Sequence, residues 1–132
     1  MDNPKKILIV EDHPAIRNML QSLFEHHGYV VDAAADGAIG LQSAQHGGFT
    51  AILLDLKMPQ MDGFEFMKRL KLEPPANPNG PTIVFSSHSY DYALKEAMSA
   101  GAADFIVKDD LETIDLVARV ETVIKKSAGG VA

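Results

Sequence analysis

Five short apolar blocks recur along the chain: ILIV at 7–10, YVVDAA at 29–34, AILL at 51–54, TIVF at 82–85 and FIV at 105–107. Blocks this short and mostly β-branched read as strands buried on both faces, the signature of a parallel sheet. A helical pattern follows each. In the first, Ile16, Met19, Leu20 and Leu23 recur at i, i+3, i+4 and i+7, with Pro14 near the first turn and Gly28 after the last. The second helix is expected over 36–46. The third starts at Asp62, where Asp62 and Glu65 have capping-box spacing. The fourth is expected over 91–100, ending at Gly101, and the last carries Leu111, Ile114, Val117, Val120 and Ile124 on one side. Strand and helix alternate five times, and right-handed crossovers turn that order into a doubly wound α/β sheet with helices on both faces.

The rest of the chain sets limits. Its 132 residues suit one domain with a real core, and 46% apolar content is too high for a disordered acidic tail. A net charge of −6 without a basic stripe argues against nucleic-acid binding. There is no cysteine, which excludes disulfides, thiolate metal sites and cysteine nucleophiles. The opening residues show no signal-peptide pattern, and no run approaches the ~18 apolar residues of a membrane span, so a cytoplasmic domain without membrane insertion is expected. The expected division is a single domain over 1–126 and a flexible tail, or the start of a linker, over 127–132. The Pro/Gly/Asn-rich stretch 71–81 reads as a surface excursion.

Ligands of open α/β sheets bind beyond the carboxyl ends of the strands. Glu11 and Asp12 fall there after the first strand, Asp55 after the third, Ser86 and Ser87 after the fourth, and Lys108 after the fifth. Asp36 and Asp62 are adequately explained as helix caps. The trio Glu11, Asp12 and Asp55 is not, because crowded like charges repel and one capping acid per helix suffices. A hard cation relieves the repulsion, and oxygen ligands without His or Cys suit Mg²⁺. A carboxylate beside Mg²⁺ and a lysine can also attack phosphorus, with the lysine and a serine hydroxyl holding the phosphoryl oxygens.

Glu11-Asp12 after the first strand, Asp55 in LLDLKMPQMDG, Ser86 after IVF and Lys108 after DFIV together resemble the receiver domain of two-component response regulators, the chemotaxis-regulator type included. The resemblance spans about residues 5–126. It implies a flavodoxin-like sheet in the order 2-1-3-4-5. It makes Asp55 the phosphoacceptor, with Asp12 and Asp55 giving carboxylate oxygens to Mg²⁺, Glu11 acting directly or through water, and Lys57 lending its backbone carbonyl. Ser86 matches the hydroxyl switch residue, Lys108 the phosphate-contacting lysine and Phe105 the aromatic switch. The implied partners are a sensor histidine kinase or histidine phosphotransfer protein as donor, and an effector protein or fused output domain downstream. A homodimer on phosphorylation is also compatible with it. Such a domain promotes only its own phosphotransfer and dephosphorylation and is not otherwise an enzyme.

The chain departs from the family pattern in two places. Asp109 stands where proline usually follows the lysine in a cis peptide, and a cis non-proline bond costs ~3 kcal/mol. Serine replaces the commoner threonine at position 86, keeping the hydroxyl. Phe105 by itself reads better as a core aromatic. His13 reads as a helix-start residue, His26 and His27 as helix-end residues and His46 as a surface one, while His88 with Lys57 sits where the family tunes phosphoryl lifetime. A phosphatase of the haloacid-dehalogenase type needs a second aspartate two positions past the nucleophile, and Lys57 stands there. A flavodoxin-like nucleotide binder needs a Gly/Ser/Thr-rich loop where Glu11-Asp12 would repel phosphate. The remaining alternative is a degenerate receiver that serves as a phosphorylation-independent docking module.

Overall fold

The computed structural model describes residues 5–87, 91–110 and 115–129. In chain order the elements are β1 (Lys6–Val10), α1 (Pro14–His26), β2 (Val30–Ala34), α2 (Gly37–His46), β3 (Ala51–Asp55), α3 (Gly63–Leu72), β4 (Thr82–Ser86), α4 (Asp91–Ser99), β5 (Asp104–Val107), a single 3₁₀ turn at Lys108–Asp110, and α5 (Leu116–Gly129). All strand pairings are parallel, and the sheet order is β2-β1-β3-β4-β5. The doubly wound architecture and its strand order are as expected.

Alternation along the strands sends successive side chains to opposite faces. Leu8, Val10, Ile52, Leu54 and Val84 meet α2, α3 and α4 through Leu41, Phe66, Met67 and Ala97. Ile7, Ile9, Leu53, Ile83 and Phe85 meet α1 and α5 through Leu20, Phe24, Val117 and Val120. Every residue of β3 is buried, as the sequence pattern requires of a central strand. β2 departs from that expectation: Val30 is half exposed and Asp32 exposed, because β2 is an edge strand that only β1 pairs. On α1 the core stripe is Leu20 and Phe24, with Ile16 and Leu23 partly covered. Met19 instead faces outward at 49% exposure, one position off the narrow buried seam.

Asp36 and Asp62 cap α2 and α3, accepting from the Ile39 and Glu65 amides at 2.8 and 2.9 Å. Glu65 does not return the bond of a capping box; it pairs with Arg69 at 2.9 Å. The start expected for α5 at Leu111 and Ile114 lies outside the described residues, as does His88. Helix α5 runs to Gly129, so Ser127 and Ala128 lie within it; the rest of the expected tail, 130–132, lies outside the described residues. His13 is the N-cap residue of α1, and His27 and His46 contact backbone oxygens of Leu23 and Gln42 one turn earlier.

Residues 73–81 are more than an excursion. Asn79 accepts from the Phe49 amide at 3.1 Å and donates to the Ala44 carbonyl at 2.9 Å, and the Gly48 amide donates to the Asn77 carbonyl. Gly47, with φ +78°, backs so closely onto that carbonyl that any Cβ would collide with it. The segment therefore braces the end of the sheet remote from the acidic residues.

Candidate functional site

Asp55 is the last residue of β3, Glu11 immediately follows β1, Ser86 ends β4 and Lys108 immediately follows β5. Parallel strands end on one rim, so residues far apart in sequence converge there. Between β1 and β3 the chain direction of winding reverses, since β2 lies outside β1 and β3 to β5 lie on its other side. A crevice at such a point is where open α/β sheets bind ligands.

Glu11 is fully buried, Asp55 is 2% exposed, and Asp12 is half-buried. One carboxylate oxygen from each lies within 4.8 Å of the others. Lys108 spans the buried pair: its Nζ donates to Asp55 Oδ2 at 3.1 Å and to both Glu11 oxygens at 3.2 Å. It lies over the Phe85 ring, with Nζ 5.0 Å from the centroid, so the neighbouring core directs the ammonium. The other Asp55 oxygen, Oδ1, accepts from the Lys57 amide at 3.2 Å.

One ammonium against several carboxylates leaves the rim negative. Glu11 bears the consequence: burial first, then the Asp55 carboxylate, pushes it from 4.5 up to about 8, with Lys108 opposing. Burial and the neighbouring carboxylate thus favour the protonated form of Glu11. The donor set fits a hard divalent cation, being all oxygen, converging within one ion's reach and under-compensated in charge.

Ser86 is 4% exposed at the end of β4 and registers with Val107, one residue before Lys108. Ser87 is exposed. Phe105 registers with Val84 and is 8% exposed in the core among Ala97 and Ala102. An open cavity of about 560 Å³ adjoins Ser86, lined by Leu56, Met58, Phe64 and Ala93, with Lys57 at its edge. No cis peptide occurs among the described residues, so the Lys108–Asp109 bond is trans.

Three features escaped sequence reading. Arg17 Nη1 donates to the Glu11 and Asp12 carbonyls at 3.0 and 3.3 Å; its position one turn into α1, five residues past Asp12, was the available signal. Gly63 brings α3 against the strand end, where a Cβ would lie 2.8 Å from the Asp55 carbonyl oxygen. Gln60, in the loop following Asp55, has φ +70°, a conformation that no residue-type pattern here announced.

The profile of the response regulator receiver domain matches residues 7–121. The chain belongs to this family. The response regulator ArlR of Staphylococcus saprophyticus is 34% identical over 122 residues, covering 92% of this chain and 53% of that protein. The chain thus spans about half the length of the curated relatives it matches. Among solved structures, a CheY-like receiver domain from Methanospirillum hungatei superposes with a TM-score of 0.82 at 27% identity, covering 97% of this chain and 99% of that one. The receiver domain of sensor histidine kinase PA1611 from Pseudomonas aeruginosa, solved with a magnesium ion coordinated in its active-site cleft, has a TM-score of 0.77 over 96% of this chain and 99% of that one. At 22% identity that likeness is one of fold alone. The protein is a signalling receiver domain of the two-component type, and no helix among the described residues is long and apolar enough to cross a membrane.

Proposed function

We propose that this receiver domain accepts a phosphoryl group on Asp55 from a phosphohistidine of a sensor kinase or histidine phosphotransfer protein. The observation that carries the reading is the buried Asp55–Lys108–Glu11 contact at the strand ends, with Asp12 beside it. An Asp55 carboxylate oxygen attacks phosphorus and forms a P–O bond. The donor's P–N bond breaks, its electron pair returns to the imidazole, and that ring takes up a proton. Asp12, Asp55 and the Lys57 carbonyl would hold Mg²⁺, with Glu11 binding it directly or through water. Bound there, the ion neutralises charge on the transferring phosphoryl oxygens. Lys108 and the Ser86 hydroxyl hold those oxygens from two different loops.

Phosphorylation replaces one negative charge with nearly two and adds acceptor oxygens, drawing the Ser86 and Lys108 loops inward. Space left behind Ser86 is then filled by Phe105, through packing alone, as phenylalanine has no hydroxyl. The receiver unit over 1–126, with 127–132 as a flexible tail or the start of a linker, passes that change to an effector protein or output domain in the cytoplasm, and a homodimer on phosphorylation is one route. The test is incubation with Mg²⁺ and acetyl phosphate, read by intact mass. Wild type should gain one phosphoryl group and Asp55→Asn none; equal labelling of the two removes Asp55 from the role, and an unlabelled wild type favours a docking module.

A further inference from the structure

We infer that Arg17 is a positioning residue for the acidic rim, holding the Glu11-Asp12 turn so that both carboxylates stay aimed at the cation site; this rests on the Mg²⁺ reading above. The turn lacks the restraint that the other acidic turns possess. Helices α2 and α3 are each preceded by an aspartate whose side chain caps them, Asp36 and Asp62. Before α1 the cap position is His13, which makes no side-chain cap bond, and the first turn holds no acid. The nearest acid is Asp12, and its carboxylate belongs to the cluster with Glu11 and Asp55. The start of α1 is thus left without a side-chain cap.

Backbone pairing offers the turn little more. The Glu11 amide extends the ladder to β2, donating to the Ala34 carbonyl at 3.1 Å. Beyond that bond the strand is over, and the carbonyls of Glu11 and Asp12 face no further strand. Both accept from one nitrogen, Arg17 Nη1, at 3.0 and 3.3 Å. Arg17 is half-buried on α1, so the rigid helix, one turn beyond Pro14, is what fixes the guanidinium. A single planar group thereby ties two consecutive carbonyls, and with them the backbone torsions that orient the two side chains. Support of metal ligands by outer hydrogen bonds commonly sets affinity by ~10–100-fold.

Two roles for Arg17 make opposite predictions. As a mere positive charge near an acidic cluster it opposes cation binding, so its removal should tighten Mg²⁺. As a positioning group its removal should weaken Mg²⁺ through loss of alignment. The experiment is Mg²⁺ titration of wild type, Arg17→Met and Arg17→Lys, followed by amide NMR shifts at Glu11, Asp12 and Asp55, with hydrogen exchange of residues 11–13 measured without the ion. The methionine variant keeps the apolar stem and loses every donor; the lysine variant keeps the charge but ends one atom short of the place that Nη1 occupies. The expected result is a Kd raised about tenfold or more in Arg17→Met, a smaller rise in Arg17→Lys, and faster exchange at residues 11–13 in Arg17→Met. An unchanged or lowered Kd in Arg17→Met overturns the inference even where exchange quickens, since Arg17 is then only structural. A methionine variant that fails to fold leaves the decision to Arg17→Lys, for which a wild-type Kd overturns it. A wild type that shows no Mg²⁺ shift at these amides overturns the cation reading itself, and this inference with it.

Discussion

Glu11→Gln should change the pH dependence of stability in a direction opposite to that expected of an ordinary surface carboxylate. Burial and the Asp55 carboxylate raise Glu11 from 4.5 to about 8 in the folded, ion-free protein. Between those values the folded chain carries more protons than the unfolded one, so the linkage slope is negative. Glu11's contribution is present in full below about 4.5 and is lost as pH rises through about 8. The window is roughly 3.5 pH units wide, and at ~1.36 kcal/mol per unit the ceiling is on the order of 5 kcal/mol. The Lys108 ammonium at 3.2 Å moderates that loss, so a few kcal/mol is the expected outcome. Glutamine stays neutral throughout and retains the shape. Urea melts in EDTA from about pH 5 to 8.5 should show wild type losing stability relative to Glu11→Gln as pH rises, the curves diverging towards the alkaline end. Saturating Mg²⁺ should restore more stability to wild type at pH ~8 than at pH ~5, because binding at low pH must first displace the proton. Parallel curves for the two proteins would refute the reasoning, since Glu11 would then ionise as a solvated carboxylate.

Further expectations concern the frame that carries the site. Gly40 lies against β1, where a Cβ would come within 2.7 and 2.8 Å of the two Val10 methyls, so Gly40→Ala should cost about 1–3 kcal/mol in urea denaturation. Gln60→Gly relieves a side chain held at φ +70° and should raise stability by about 0.5–1 kcal/mol, measured by thermal melting, with the unfolded-state entropy of glycine offsetting part of the gain. Removing the α2 cap with Asp36→Ala should cost ~1 kcal/mol and quicken amide exchange in the first turn of α2, starting from Ile39.

The fold was legible because its physics is local and periodic. Buried parallel strands have to be apolar on both faces, so β3 and β4 announce themselves as AILL and TIVF, and capping acids mark the helix starts at Asp36 and Asp62. Readings erred where burial depends on neighbours that the local pattern does not specify. An edge position leaves Val30 and Asp32 of β2 open to solvent, and a small rotation of α1 puts Met19 outside a seam that its spacing seemed to include. The brace formed by Asn79 was hidden for the same reason. A Pro/Gly/Asn-rich stretch reveals that a loop exists, but not that its amide will pair with Phe49 and Ala44 from another turn.

At the rim the residue types were readable, and their mutual state was not. Three acids and one lysine at strand ends can be listed from sequence, yet the charge each carries depends on distances that only packing fixes. Lys108 could have met solvent; instead the Phe85 ring beneath it holds the ammonium against Glu11 and Asp55 together. Burial, with Asp55 beside it, is why Glu11, deepest of the cluster, rises towards 8, and an ammonium divided between two carboxylates opposes that only in part. Any ligand carrying more positive charge than a single shared ammonium is favoured at this position by the same imbalance. The fold supplies rigidity enough to maintain it, since the β3 carboxylate is pinned by the Lys57 amide and the β1 turn by Arg17. Relaxing either restraint would let the acids swing apart into water, ending the repulsion that a small, doubly charged, oxygen-seeking ion would relieve.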